Sequence, residues 1–464
     1  MASLLPVCVA AGNPVTAEVG ADVLSEGGSA ADAAIAMVLA SCVAETVFTG
    51  IGGGGYATYY DASTKTTSCL DFFVAVPGLG GKKHVPPVEI TIDFGGQLVP
   101  YAVGASTVAV PGVPAGLEAL HQRWARWPWQ DLVAPAIAHA TKGVPFAPLH
   151  SKVLVTVAAA MLIGEGQRAY VRDGRILPGG ARLFHPGLDR ALQMLADEGP
   201  QTFYTGHIAE AIVQSIGDQG DLSMADLTAY RVHESVPRTA EFSDLLVHAR
   251  GDDLDDLLST LQALDLTDDP AELAARTVAA LRAHPRRGDT TSISVADADG
   301  NACAVTTSLG LSSGVWLPGL GIHLNSMMGE GELVRGDEVP GRRMGSMMSP
   351  LIGVGDDGPV LVAGAAGGSR IRSALVQVLV NVAHAQMAVP DAVLAPRLNP
   401  VPGRVHVEPG LPPDVLARLA LDDEVVRWPA LDSYFGGVSA IGTTGPGADP
   451  RRGGDVRRVG PAAP

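Results

Sequence analysis

Two β-rich runs about two-thirds of the way along the chain constrain it most. The first, Ser292-Ile293-Ser294-Val295-Ala296, alternates small polar and aliphatic residues, and the second extends from Ala302 to Leu309. Between them Asp297-Ala298-Asp299-Gly300 carries an Asp/Gly turn signal, so the pair reads as a β-hairpin. Asp289-Thr290-Thr291 stands immediately before it. A bend at Gly288-Asp289 places the Thr290 hydroxyl at the start of a core strand, where Oγ can attack the preceding carbonyl. Hydrolysis of the resulting ester frees Thr290 as a new N-terminus, and its α-amine then serves as general base for the same hydroxyl. Threonine also favours strand starts for packing reasons alone. The hairpin by itself leaves both readings open.

A 464-residue chain with 47% apolar residues has ample material for a core. Its net charge of −17 argues against a nucleic-acid partner, which needs a basic footprint. No run of 18 apolar residues occurs, so no membrane span is expected. The acidic stretch Asp252 to Asp269 reads as a solvated face. Cys8, Cys42, Cys69 and Cys303 sit alone in apolar runs and are expected as buried thiols. The histidines show no HExxH or i,i+4 pair, so neither a metal site nor a cofactor is expected. Met1-Ala2-Ser3-Leu4-Leu5-Pro6 lacks a basic n-region and does not read as a signal peptide.

The periodicities predict a strand at residues 7–11, then a helix from Pro14 capped by Asn13 and ended by Gly27. A buried Ala-rich helix over 30–43 and a hairpin of residues 56–60 and 66–72 follow. Residues 152–162 read as one helix, 373–387 as a long apolar one, and the Gly/Arg-rich tail as ending in a loop. Mixed strands and helices without a βαβ rhythm suit an α+β layered sandwich.

Three glycine motifs need sorting by context. Gly50 to Gly55 satisfies GxGxxG, but it follows a helix and leads into a strand, the reverse of a dinucleotide loop. A tight loop at the edge of the site is the better reading. Gly310-Leu311-Ser312-Ser313-Gly314 satisfies GxSxG, yet Pro318 and Gly319 forbid the helix that a nucleophile elbow needs. Gly367-Gly368-Ser369-Arg370 stands before a helix, where unhindered backbone N–H groups and the helix dipole suit an oxyanion hole.

With these residues in place, the sequence resembles the γ-glutamyltransferase family of N-terminal-nucleophile (Ntn) hydrolases. Eight blocks occur in family order: Asn13 to Val43, Gly50 to Tyr56, Val108 to Gly112, Asp226 to Arg231, Pro318 to Ile322, Ser346 to Pro350, Gly364 to Arg370, and Asp449 to Gly454. The resemblance implies a four-layer αββα sandwich, built as one interwoven unit from both sides of a cut between Asp289 and Thr290. Residues 1–289 then form the large-subunit part and 290–464 the small-subunit part, which remain associated. It further implies Gly367 and Gly368 as the oxyanion pair and Ser308 in the place of a second threonine beside the nucleophile. Ser346 matches the first of two substrate-contacting serines, with Met347 replacing the second.

Departures from the family bear on substrate. Phe73 occupies the place of the carboxylate-binding arginine, and Gly310 that of an asparagine contacting the substrate's α-amino group. Glu330 keeps one carboxylate of an acidic pair, and Ser292 replaces the usual histidine. Arg to Phe exchanges a bidentate carboxylate clamp for an apolar wall. Residues 241–282 diverge, offering an acidic amphipathic segment and a helix over 271–284 instead of the family's strand and Pro-rich loop. The leading expectation is a self-processing amidohydrolase or acyltransferase acting on a small-molecule amide, γ-glutamyl or related, through an acyl-threonine. Two alternatives stand: a natural-product biosynthetic relative cleaving a C–C bond with the same threonine, and an unprocessed, silent member kept for binding. Many relatives are exported, so the missing signal peptide implies a cytoplasmic enzyme. A homo-oligomer is admitted.

Overall fold

The computed structural model describes residues 5–94, 97–250, 257–282, 290–331, 333–334, 336–368 and 370–460. Asp289, Ser369 and the acidic residues 252–256 lie outside these. The hairpin forms as expected, with Thr291–Ala296 paired to Ala302–Ser308 and Asp297 closing the turn by accepting from Asp299 N and Asn301 N.

This hairpin sits inside an antiparallel seven-stranded sheet. Its order is His233–Ser235, Thr66–Phe72, Gly54–Asp61, Ala302–Ser308, Thr291–Ala296, Cys8–Ala11 and Asp455–Arg458. A second antiparallel sheet runs Arg238–Phe242, Leu245–Ala249, Leu351–Gly355, Gly358–Ala366, Gly437–Gly442, Gly445–Ala448. Both sheets draw strands from either side of Thr290.

The inner faces of the two sheets meet through small residues. Ser294 Oγ donates to Ser439 O at 2.9 Å, and Ser439 Oγ returns a bond to Ser292 O at 3.0 Å. Gly364 is required there, because a Cβ on it would lie 2.1 Å from Ser292 Oγ. Against the first sheet's outer face pack the helices Pro14–Ser25 and Ala30–Ala44. Every residue of Ala30–Ala44 is buried, and Ser29 with Asp32 forms a capping box at its start. Alanine lets this helix lie between sheet and helices at close range without a polar face. The helices Arg370–Leu379 and Val389–Leu394 cover the second sheet. The molecule is thus α+β.

Three expectations need correction. The tail is not loop alone, since before its end Asp455–Arg458 pairs with Cys8–Ala11 and completes the first sheet. A strand of so polar a composition is formed by the partner edge, not by propensity. Residues 152–162 form two helices, Pro148–Thr156 and Ala158–Met161, meeting at Val157, whose ψ of 14° leaves the helical region. In the divergent segment the strand is retained: Leu245–Ala249 pairs with Leu351–Gly355, and the helices Leu257–Ala263 and Pro270–Arg282 follow. All four cysteines are free and buried. Among the described residues no helix is long and apolar enough to cross a membrane.

Candidate active site

Alternation along the hairpin decides what each hydroxyl faces. Thr291 and Thr307, a register pair, point to the helical side: Thr291 Oγ1 donates to Glu45 Oε2 at 2.6 Å, and Thr307 Oγ1 bonds Thr49 Oγ1 at 2.8 Å. Ser292 and Thr306 point to the second sheet, beside Gly364. Thr290, two residues before Ser292, shares that inward face. Its Oγ1 accepts from the amide of Gly367 at 3.2 Å, and the residue is 2% exposed.

Gly367 reaches this position because the strand Gly358–Ala366 ends there and the chain turns into the helix Arg370–Leu379. Gly367 and Gly368 have φ of 126° and 65°, both in the region that favours glycine. A Cβ on Gly367 would come within 2.7 Å of Gly436 Cα. Their carbonyls accept from Arg370 N and Ile371 N, so the turn is held from within.

Ser308 comes next after the Thr291–Thr307 pair, as Thr290 does on its own strand, and its Oγ accepts from Gly310 N at 3.1 Å. Gly310 has φ 69°, and a Cβ there would lie 2.2 Å from Glu330 Oε1. Gly310 and the buried Glu330 are therefore in direct contact. Gly53, inside the glycine loop, packs on Ser308, since its Cβ would meet Ser308 O at 2.2 Å. The loop leads into the strand Gly54–Asp61, as expected of a structural turn. Ser312, with φ 79°, lies in a turn and is followed by the short strand Trp316–Leu317, not a helix.

Phe73 is 1% exposed and stacks on Tyr56 at 5.7 Å between ring centroids. From the divergent segment, Arg250 comes to this aromatic pair. This buried arginine ends the retained strand of the divergent segment. It lies 4.1 Å from the centre of the Tyr56 ring and donates to the carbonyls of Met348 and Ser346. Ser346 Oγ accepts from Met348 N at 3.2 Å. Arg343 is engaged elsewhere, 3.1 Å from Asp71 and over the ring of Tyr230.

Sequence reasoning missed Glu45. It caps the C-terminus of Ala30–Ala44 and is 1% exposed, with Thr16 Oγ1 donating to Oε1 at 2.7 Å and Thr291 to Oε2. Burial pushes its carboxyl above the usual range, against the pull of these two hydroxyls. Glu45, Thr290, Thr291, Gly12, Asp449 and Arg452 share the lining of one small cavity, about 10 Å³, room for about one water. A lone acid inside an apolar run was the available signal. Behind the cavity Phe48 meets His150 edge-on at 4.8 Å and carries Arg452 on its ring at 4.9 Å. Burial, helped by Arg452, holds His150 down to about 3. Among the described residues no group of three or more His, Cys, Asp or Glu could hold a metal ion.

A family model described as Gamma-glutamyltranspeptidase matches residues 16–278 and 260–464. A glutathione hydrolase proenzyme of Pseudomonas aeruginosa is 29% identical over 84% of this chain and 82% of its own length. The corresponding Bacillus subtilis (strain 168) proenzyme is 25% identical over 89% and 84%. The acylase ACY 1 proenzyme of Pseudomonas sp. (strain V22) is 27% identical over 93% and 89%. In fold, a cephalosporin acylase from Bacillus halodurans superposes with a TM-score of 0.81 at 22% identity, covering 98% of this chain and 96% of that one.

Proposed function

The chain belongs to the gamma-glutamyltranspeptidase family, and on that premise we propose that it is a self-processing Ntn hydrolase that cleaves an amide through an acyl-Thr290 ester. The observation that carries this reading is the Gly367 amide 3.2 Å from Thr290 Oγ1 at the start of a central strand. The order helices, sheet, sheet, helices supports a four-layer αββα fold. Strands contributed to both sheets from either side of Thr290 support fragments that stay together once cut.

In the precursor, Thr290 Oγ attacks the Asp289 carbonyl carbon, and the bond from that carbon to the Thr290 nitrogen breaks. The nitrogen takes the hydroxyl proton. Water then cleaves the ester, leaving a carboxylate on Asp289 and a free amine on Thr290. In turnover this amine accepts the Oγ proton while Oγ attacks the acyl carbon of the substrate. In this reading Gly367 N–H, with Gly368 beside it, stabilises the oxyanion; the Gly367 amide's bond to Thr290 Oγ1 supports that role. The leaving amine departs with a proton, and water or an acceptor amine releases the acyl group. Phe73 in the place of a carboxylate-binding arginine, with the nearby Arg250 donating to the Ser346 and Met348 carbonyls, favours an acyl group without a carboxylate at that wall, so the acyl donor need not be glutamyl.

Intact-mass measurement of fresh protein tests the reading. Chains of 289 and 175 residues, together the full 464, are expected. An uncut chain that nevertheless turns over amides would overturn it.

A further inference from the structure

The cavity beside Thr290 is lined from both faces of the first sheet. Ala366, Gly437, Val438 and Ser439 belong to the second sheet on one face, while Glu45 and Phe48 belong to the helical side on the other. A space that reaches both faces of a sheet has to pass a strand end. The ends present are Thr290, before Thr291–Ala296, Gly12, after Cys8–Ala11, and Gly454, before Asp455–Arg458. Gly12 is kept bare there, because a Cβ would lie 2.7 Å from Glu45 Oε2 and 3.0 Å from Thr291 Oγ1. The main chain of Thr290 is therefore next to a one-water space that Glu45 closes from behind.

We propose that Glu45 is a positioning residue for the nucleophile's amine: after self-cleavage the Thr290 α-amine projects into this cavity, and the Glu45 carboxylate, fixed by Thr16 and Thr291, sets its orientation and proton affinity. The inference rests on the self-processing reading, since the amine exists only once the chain is cut. A buried carboxyl with both oxygens bonded to hydroxyls cannot swing away, and Thr291, adjacent in sequence, ties its position to the nucleophile's own strand.

The charges facing the amine can be named. From the end of the helix Ala30–Ala44 comes Glu45. From the segment after Gly445–Ala448 come Asp449, already bound by Arg397 at 2.6 Å and Arg451 at 3.2 Å, and Arg452. His150 lies beyond Arg452 and is held neutral by burial. Arg452 lowers the amine's proton affinity and Glu45 raises it, so loss of Glu45 shifts the balance one way.

The experiment is the pH profile of kcat/KM for processed wild type and Glu45→Gln, with an amide substrate turned over by the wild type. Glutamine keeps the size and a hydrogen bond to each hydroxyl but removes the charge. The acid limb is expected to move to lower pH by about one unit, as for loss of an opposite charge at close range, making the variant the better enzyme well below the wild-type limb. Glu45→Asp, which withdraws the carboxylate by one methylene, should fall between. A limb that stays in place in cleaved, folded Glu45→Gln overturns the proposal while leaving self-processing intact. Failure of both variants to fold, beside a normal wild type, overturns it in favour of a purely structural role. A wild type that never cleaves sinks the reading beneath it instead.

Discussion

Thr290 and Gly367 come from different sheets, 77 positions apart in sequence, and meet through a hydrogen bond of 3.2 Å between the Gly367 amide and Thr290 Oγ1. A threonine that merely began a strand could spend its hydroxyl on a neighbouring carbonyl. Here it receives a backbone N–H from a turn whose two glycines both have positive φ.

Replacement of the nucleophile should separate packing from chemistry. Thr290→Ala is expected to fold, to remain one chain and to lose turnover, because the alanine lacks the hydroxyl that serves both steps. Thr290→Ser should retain part of each. Mass spectrometry and an amidase assay read both. Activity that survives in Thr290→Ala but disappears in Ser312→Ala would transfer the role to the serine in the turn.

The glycine turn should show a rate effect larger than its stability effect. Gly368→Ala places a Cβ at φ 65°, a strain of roughly 1–2 kcal/mol. Turnover should fall on the order of 10²-fold, the usual loss for one oxyanion donor. A variant with unchanged kcat removes Gly368 from the mechanism.

The proposed preference for an acyl group without a carboxylate is tested at Phe73. A glutamyl α-carboxylate brought against the Phe73 wall, where Arg250 is already bonded to the Ser346 and Met348 carbonyls, is left without a dedicated partner, at roughly 3–5 kcal/mol. Glutathione should be used at least about a hundredfold less efficiently than an amide with an uncharged acyl group. Phe73→Arg would add a second cation beside the aromatic pair that already carries Arg250. It is expected to cost stability without restoring glutathione hydrolysis. Efficient glutathione hydrolysis by the wild type, measured as kcat/KM, contradicts this.

Acid stability follows from the buried imidazoles. Burial holds His150 to about 3 and His185 to about 4, from an ordinary 6.5. Between those values the unfolded chain binds more protons than the folded one, so stability rises with pH across the window and is lost as pH falls below about 6.5. Each histidine steepens the loss by about 1.4 kcal/mol per pH unit. Thermal unfolding from pH 7 to 5 should show a falling Tm, and His150→Phe should flatten the slope. An equal slope in the variant would assign the acid sensitivity elsewhere.

Much of this site is legible in the residues themselves. The alternation of Ser292 to Ala296 and the Asp297–Gly300 turn fix the hairpin and put a hydroxyl just ahead of it, because period-two patterning and turn chemistry act over a few residues; only the family resemblance makes Thr290 the candidate nucleophile. The bare Gly367-Gly368 pair and the Ala-rich helix behind the first sheet are local signals of the same kind. Sequence order also excludes the dinucleotide loop and the serine elbow, since each needs a neighbour that Gly50–Gly55 and Gly310–Gly314 do not have.

What surrounds the nucleophile was decided only in three dimensions. Asp455–Arg458 becomes a strand because the edge of Cys8–Ala11 offers it a ladder, and no propensity in Asp-Val-Arg-Arg announces that. Arg250 reaches the Tyr56–Phe73 pair because the divergent segment keeps its strand in the second sheet. Glu45 meets Thr291 across 246 positions of chain. A buried carboxyl draws its meaning from the donors that fold brings to it, and a one-dimensional pattern contains no term for a partner so distant.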